Sequence, residues 1–309
     1  MIRFFISLAI TFFFIFLPSD SNTAAWTQVA GEGQLIFNFS GYSSSAYYDE
    51  NSSSNSSSIK FTKFEINPFF EFGITENLTV GINPTIQNWN FEKEVATDII
   101  YDFRQCGVFN GIEGSNVNAF MMDAEIFARQ KIYSNDNFVF SLQPLVKLPC
   151  VLYSNGVFII AEDTVDFEIR ALGGYGFKWE PDISLEGVKI PFAGQYHFIN
   201  TELAYRKRNE QFSDQIRFDA TIGMRPRKDY LILGQLFSTF STEDEPIRGF
   251  FGNEGLFVEK DDYYSVKLQT SLVKQMTNST AIQFGVFKEV LGKNAGDGIG
   301  ATVSLWYSF

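Results

Sequence analysis

Along much of the chain, apolar side chains recur at every second position with polar ones between them. The cleanest stretch is Leu78, Val80, Ile82, Pro84 and Ile86, interleaved with Thr79, Gly81, Asn83, Thr85 and Gln87. A helix would scatter both sets around its circumference, whereas a strand sends one set to each face. The same rhythm sets Val165, Phe167, Ile169, Ala171, Tyr175 and Phe177 against Asp166, Glu168, Arg170, Leu172, Gly174 and Gly176. It sets Ile216, Phe218, Ala220, Ile222 and Met224 against Arg217, Asp219, Thr221, Gly223 and Arg225. At the end of the chain Ile299, Ala301, Val303, Leu305, Tyr307 and Phe309 oppose Gly300, Thr302, Ser304, Trp306 and Ser308.

Carried along the whole chain, this period predicts about twelve strands of the length that crosses a bilayer. They run over 33–42, 59–72, 78–88, 117–132, 138–148, 163–177, 195–206, 213–225, 230–241, 261–274, 280–291 and 298–309. Alternation is blurred in 195–206 and 230–241. The connections 73–77, 134–137, 226–229 and 276–279 are short and turn-like, while 43–58, 89–116, 149–162 and 242–260 are long. Short turns on one side and long loops on the other are the habit of transmembrane barrels, and an even count returns both termini to the short-turn, periplasmic side. Two connections break the rule: 178–194 is long for a turn and 292–297 is short for an outer loop. The Ser- and Asn-rich stretch 43–58, around Tyr47-Tyr48-Asp49-Glu50, reads as a mobile, solvated surface loop.

The N-terminus explains how such a chain meets a membrane. Arg3, the apolar run Phe4 to Leu17 and the small residues Thr23-Ala24-Ala25 have the layout of a secretory signal peptide over 1–25, leaving 26–309 as one domain. No run after Trp26 is long and apolar enough for a spanning helix. A closed barrel is the other fold that satisfies its backbone inside lipid. The fold class expected is therefore all-β: a single closed antiparallel transmembrane β-barrel. Aromatic residues make up 17% of the chain, with 35 Phe and 13 Tyr, yet mean hydropathy is −0.04. Aromatics spread over a lipid-facing surface fit that combination. A net charge of −12 argues against nucleic acid as a partner.

Val303-Ser304-Leu305-Trp306-Tyr307-Ser308-Phe309 resembles the terminal signature of bacterial outer-membrane proteins. That resemblance implies a Gram-negative outer-membrane address amid lipid and lipopolysaccharide. It also implies recognition of Leu305, Tyr307 and Phe309 as an assembly signal by the barrel-assembly machinery. The strand–turn–strand Phe70-Glu71-Phe72-Gly73-Ile74-Thr75-Glu76-Asn77-Leu78-Thr79-Val80-Gly81 resembles a motif of the transporter-like barrels associated with phenol meta-cleavage pathways. The start Ala25-Trp26-Thr27-Gln28 and the hairpin from Gly223-Met224-Arg225-Pro226 to Leu233-Gly234-Gln235 are similar to members of the same broad group. The resemblance implies a passive, porin-like channel or transporter for small hydrophobic or aromatic solutes.

Strand parity sorts the charges. Lys63, Arg129, Lys131, Lys147, Arg170, Arg217, Arg225 and Lys267 face the lumen, as do Glu65, Glu71, Asp123, Glu125, Asp166, Glu168 and Asp219. Nearly balanced, they form either a stabilising ion-pair filling or a polar constriction that selects solutes. The first option leads to the alternative function, a structural or host-interaction surface barrel with a plugged lumen. Nothing points to an enzyme. The lone histidine, His197, lacks a neighbouring nucleophile at hydrolase spacing and reads as structural. No cofactor is implied, and no loop has metal-cage spacing. Cys106 and Cys150 fall in predicted outer loops, where a disulfide or an intermolecular cross-link are both open.

Overall fold

The computed structural model describes residues 25–93, 100–103, 108–113, 116–154, 157–160, 165–180, 191–208, 213–242 and 262–309. Twelve long strands form the wall: β1 (Gly33–Tyr48), β2 (Ser54–Thr75), β3 (Leu78–Lys93), β6 (Asn116–Ser134), β7 (Phe138–Ser154), β9 (Asp166–Lys178), β10 (Tyr196–Lys207), β11 (Gln215–Arg227), β12 (Tyr230–Ser241), β13 (Tyr264–Gln275), β14 (Thr280–Lys293) and β15 (Ala295–Ser308). Two short strands, β4 (Ile100–Phe103) and β5 (Val108–Glu113), make a separate hairpin, and β8 (Val157–Ile160) pairs with the end of β7. Each wall strand pairs antiparallel with the next, and β1 pairs with β15 from Gln34↔Ser308 to Tyr48↔Ala295. The sheet is thus closed, with no free edge along the wall.

Gly33 and Phe309 exchange both backbone hydrogen bonds, at 2.9 and 3.0 Å. Both ends of the wall therefore lie on the rim that carries the short turns at 76–77, 135–137, 228–229 and 276–279. Gly33 is needed there: a Cβ would stand 2.6 Å from the Phe309 ring and 2.9 Å from the Glu71 carbonyl.

The pattern of exposure is inside out. Phe167, Leu203, Leu305, Phe284 and Val286 are more than half exposed, while Thr79, Ser141, Gln143 and Glu168 are buried. A soluble barrel would leave this apolar belt in water, so the outer surface suits the hydrocarbon of a bilayer. No helix among the described residues is long and apolar enough to cross one. Aromatic pairs such as Tyr307–Phe309 and Phe70–Phe309 stack at the short-turn rim, the level of an interfacial girdle.

The blurred segments 195–206 and 230–241 are both strands, β10 and β12. The stretch 43–58 is not a loop. β1 continues to Tyr48 and β2 begins at Ser54, leaving a five-residue turn. Its order comes from backbone pairing and turn chemistry, to which composition is blind. Asp49 Oδ1 accepts N–H groups of Asn51 (2.8 Å) and Ser53 (2.9 Å), and β15 supplies a ladder up to Tyr48. The segment expected as loop 89–116 holds the end of β3 and the β4–β5 hairpin. Of the connection 178–194, residues 191–194 form turns at the short-turn rim.

Candidate functional site

The lumen has three parts, stacked between the long-loop end and the short-turn end. The upper part is a cavity of about 860 Å³ between β1–β3 and β12–β15. Its wall is aromatic: Tyr42 stacks on Phe287 at 6.2 Å, and Phe61 meets Trp89 edge-on at 5.4 Å. Between the rings stand amides and charges. Lys63 pairs with Glu65 at 3.1 Å, and the Lys267 ammonium lies over Phe237 (4.7 Å) and Phe287 (5.1 Å), next to Glu289 across the strands. The β1–β2 turn folds over this cavity, with Asp49, Glu50 and Asn51 in its lining. Tyr48 Oη donates to the Glu289 carbonyl at 3.3 Å, and Tyr264 Oη to Ser52 Oγ at 2.9 Å.

Opposite this wall, β6, β7, β9, β10 and β11 present charge. The Glu168 carboxylate has no exposed side-chain surface and is shared by Arg206 (2.6 Å), Arg217 (3.5 Å) and Arg170. Arg206 also reaches Glu125 at 2.5 Å, Arg170 reaches Glu202 at 3.0 Å, and Lys147 reaches Asp123 at 3.2 Å. A second cavity of about 430 Å³ opens between this network and Asn67, Asn83 and Thr85 of β2 and β3. Buried pairs of this kind are costly to break, because the partner left behind remains charged in a poorly hydrated site. Beyond the strands, Asp214 accepts hydrogen bonds from Tyr205 Oη (2.5 Å), Lys207 Nζ (2.9 Å) and the Arg208 N–H (2.8 Å). Burial works to raise its pKa, but these bonds outweigh it and hold the carboxyl below its usual range.

The lower part is filled by the chain itself. The segment ahead of β1 enters the short-turn end of the barrel, where Ala25 is fully buried. Ser141 Oγ donates to the Ala25 carbonyl (2.6 Å) and Arg129 Nη1 to the Trp26 carbonyl (2.9 Å). Gln28 donates through its backbone to Thr79 Oγ1 (2.8 Å) and through Nε2 to Glu71 Oε1 (2.5 Å), beside the Glu71–Arg129 ion pair at 3.2 Å. The Trp26 ring packs against two buried apolar clusters, one of Ala25, Val139 and Leu172 and the other of Phe198, Leu231, Leu233, Val273 and Ala281, with Phe198 edge-on at 6.4 Å. Gly174 makes room for it: a Cβ there would come within 2.6 Å of the indole. The lumen thus holds an aromatic, polar-lined cavity above a segment of the chain itself.

No family model matches this chain, and no curated protein does either. Solved structures do. The barrel is similar in fold to the COG4313 outer membrane channel from Pseudomonas putida F1. The TM-score is 0.57 at 11% identity, covering 94% of this chain and all of that one. More distant in shape are the transport unit of the autotransporter AIDA-I from Escherichia coli and the translocator domain of the autotransporter NalP from Neisseria meningitidis. The first has a TM-score of 0.49 at 11% identity, over 99% of this chain and 97% of that one. The second has 0.43 at 9%, over 94% and 90%. At 11% identity the likeness to the COG4313 channel is one of fold alone, that of a closed antiparallel β-barrel.

The structure places the charges picked by parity in all three parts. Lys63, Glu65 and Lys267 line the aromatic cavity, and Asp123, Glu125, Lys147 and Arg217 the smaller one. Asp166, Glu168, Arg170 and Asp219 belong to the charged wall, where Asp166 meets Arg208 at 3.7 Å and Asp219 accepts the Ser238 N–H at 3.3 Å. Glu71 and Arg129 hold the plug. Lys131 sits at the short-turn rim, its N–H donating to the Asn77 carbonyl. The Arg225 N–H donates to His197 Nδ1 (3.1 Å), so the Nε2 proton of that ring goes to the Phe192 carbonyl (3.0 Å). His197 is thereby a buried brace between β10, β11 and the 191–194 turn. Leu305, Tyr307 and Phe309 point outward.

Cys106 lies outside the described residues. Cys150 falls within β7 rather than in a loop, because that strand runs on to Ser154, and its side chain is outside the described ones. Among the described residues no group of three His, Cys, Asp or Glu could hold a metal ion.

Sequence reasoning missed Glu202, Arg206 and Arg208, Glu289 and the plug. The β10 charges were legible from the even positions Glu202, Ala204 and Arg206 set against Leu203 and Tyr205. The adjacent buried pair His197 and Phe198 obscured that rhythm.

Proposed function

We infer that this chain is a passive outer-membrane channel for small solutes, carried by the aromatic cavity between the long-loop mouth and the Trp26 plug. A signal peptide over 1–25 exports it, and its removal takes Ala25 and the Ser141 bond from the plug, which then runs from Trp26 on the Arg129, Thr79 and Glu71 contacts. Leu305, Tyr307 and Phe309 are its assembly signal, and the termini and short turns face the periplasm. Amide, charged and aromatic side chains around about 860 Å³ suit an amphipathic, partly aromatic solute. That lining agrees with the hairpin resemblance to barrels associated with phenol meta-cleavage pathways. The charged wall narrows the path and sets its preference among ions. Planar-bilayer conductance together with liposome swelling tests this reading: a folded barrel tight to all ions and small solutes would sink it.

The plug supports a second reading, a permanently closed structural or host-interaction barrel displaying the β1–β2 turn. Under that reading, shortening 43–58 abolishes surface binding while conductance is nil from the start. Unchanged binding after the deletion counts against it.

A further inference from the structure

The β2–β3 ladder is interrupted at one place in mid-wall. Its register runs through Ile66↔Ile86, resumes at Phe70↔Ile82, and brings Pro68 opposite Pro84 in the interval. The three pairs lost are Asn67↔Thr85, Pro68↔Pro84 and Phe69↔Asn83. That loss follows if Pro68 and Pro84 are a pair that would exchange two backbone bonds, since neither has an N–H to give. Their outer neighbours are intact: Phe37↔Pro68 on β1 and Ala124↔Pro84 on β6. Pro144 of β7 also interrupts a ladder, with β6, but it faces no second proline there, so its partner keeps a donor. At the β2–β3 site both donors are gone, and two carbonyls face each other across the strands.

What closes this seam is a side chain. Asn67 Nδ2 donates to Thr85 Oγ1 at 2.9 Å from the lumen side, and Asn38 reaches Asn67 at 3.4 Å. On the lipid side stand the two proline rings, with Ile66, Phe70, Ile82 and Ile86 at the neighbouring outward positions of the same strands. The level matters as much as the gap. Gln28 of the plug binds Glu71 and Thr79, below the prolines, while Asn38 opposite Asn67 already belongs to the lining of the aromatic cavity. A solute descending through the lumen meets the plug, and this gap in the ladder lies beside it.

We propose that the Pro68–Pro84 seam is a lateral passage, through which a small, largely apolar solute passes from the aromatic cavity by way of the adjoining smaller one, whose wall Asn67 and Thr85 form, into the membrane's hydrocarbon, with the Asn67–Thr85 hydrogen bond as its latch. This rests on the channel reading and assigns that channel, within its partly aromatic solute class, the largely apolar members as cargo, with a sideways exit. At a regular hydrogen-bonded pair two backbone bonds must break for the strands to part; at this pair a single side-chain bond stands in their place.

The test locks the seam. Asn67→Cys with Thr85→Cys, in a background with both native cysteines changed to Ser, places thiols at directly opposed positions of neighbouring strands, within disulfide reach. Cells producing each form are given N-phenyl-1-naphthylamine, whose fluorescence rises as it enters the membrane, and the purified forms are measured for ion conductance. Folding is checked by heat-modifiable migration. The expected result is probe entry faster than in cells lacking the protein, lost on oxidation, restored by dithiothreitol, with ion conductance retained throughout. Pro68→Val with Pro84→Thr, which restores both donors, should slow entry without any thiol. A locked barrel that admits the probe as fast as the parent overturns the seam. So does a parent that conducts ions without speeding probe entry, and in both cases the channel stands. A parent that neither conducts nor admits probe overturns the channel reading itself, and the passage with it.

Discussion

The plug makes the sharpest demand on the molecule. Changing Trp26 to Ala removes an indole that packs on Val139, Leu172 and Phe198 but leaves the backbone bonds of the segment in place. Truncating a packed aromatic costs about 3–5 kcal/mol, and the lower end applies because Trp26 is only partly buried. The wall itself does not depend on it, so the loss falls on the equilibrium between seated and released plug. At about 1.4 kcal/mol per decade, a loss of about 3 kcal/mol raises the released fraction roughly a hundredfold. Single-channel recording reads this directly, as longer and larger openings than in the parent at equal voltage. Trp26 follows the proposed cleavage point, so the N-terminus of the purified variant is sequenced. Gly174→Ala serves as an independent route, since its Cβ would strike the seated indole at 2.6 Å while processing is untouched. If both variants fold with unchanged conductance and opening statistics, the segment does not gate the lumen and the reasoning fails.

Glu168→Gln strips three arginines of a shared carboxylate whose side chain is fully buried, and should cost about 3–5 kcal/mol of stability. A lower unfolding midpoint on heated gels, with a reversal potential moved toward anion preference, is the expected result; an unmoved midpoint contradicts it. Gly33→Val forces a side chain against Phe309 at the closing seam, costing about 1–3 kcal/mol, and Phe309→Ala in the same chain should recover part of the folded yield on refolding in detergent, where no assembly signal is read. Asp214 has its carboxyl held low in the folded state, so its contribution is present above the ordinary carboxylate range and disappears as pH falls through the depressed value. Amide exchange at Arg208, whose N–H it accepts, should therefore stay protected through mildly acidic pH and quicken only in stronger acid. In Asp214→Asn the protection is already weaker at neutral pH.

The twelve strands were legible because two solvents meet at the wall. Lipid selects apolar side chains at one parity and a wet, charged lumen selects polar ones at the other, so a period of two survives along almost every strand. It fades where the inner solvent changes. Phe198 on β10 and Leu231 and Leu233 on β12 face inward yet are apolar, because at that level the lumen is filled by Trp26 rather than water. The two segments that read least like barrel strands therefore mark the socket of the plug. The plug has no period of its own to read. Its seat is made by residues far along the chain, such as Ser141 and Gly174. The Ser- and Asn-rich hairpin failed differently: its order lies in backbone pairing with β15, which composition does not record. Charges on the regular strands were sorted by parity, but their meeting on Glu168 depends on strand order and register. The proline pair is of the same kind. Pro84 falls within the lipid-facing alternation and Pro68 inside a predicted strand, each tolerable on its own. Only the register that sets one against the other turns two ordinary residues into a gap in the wall.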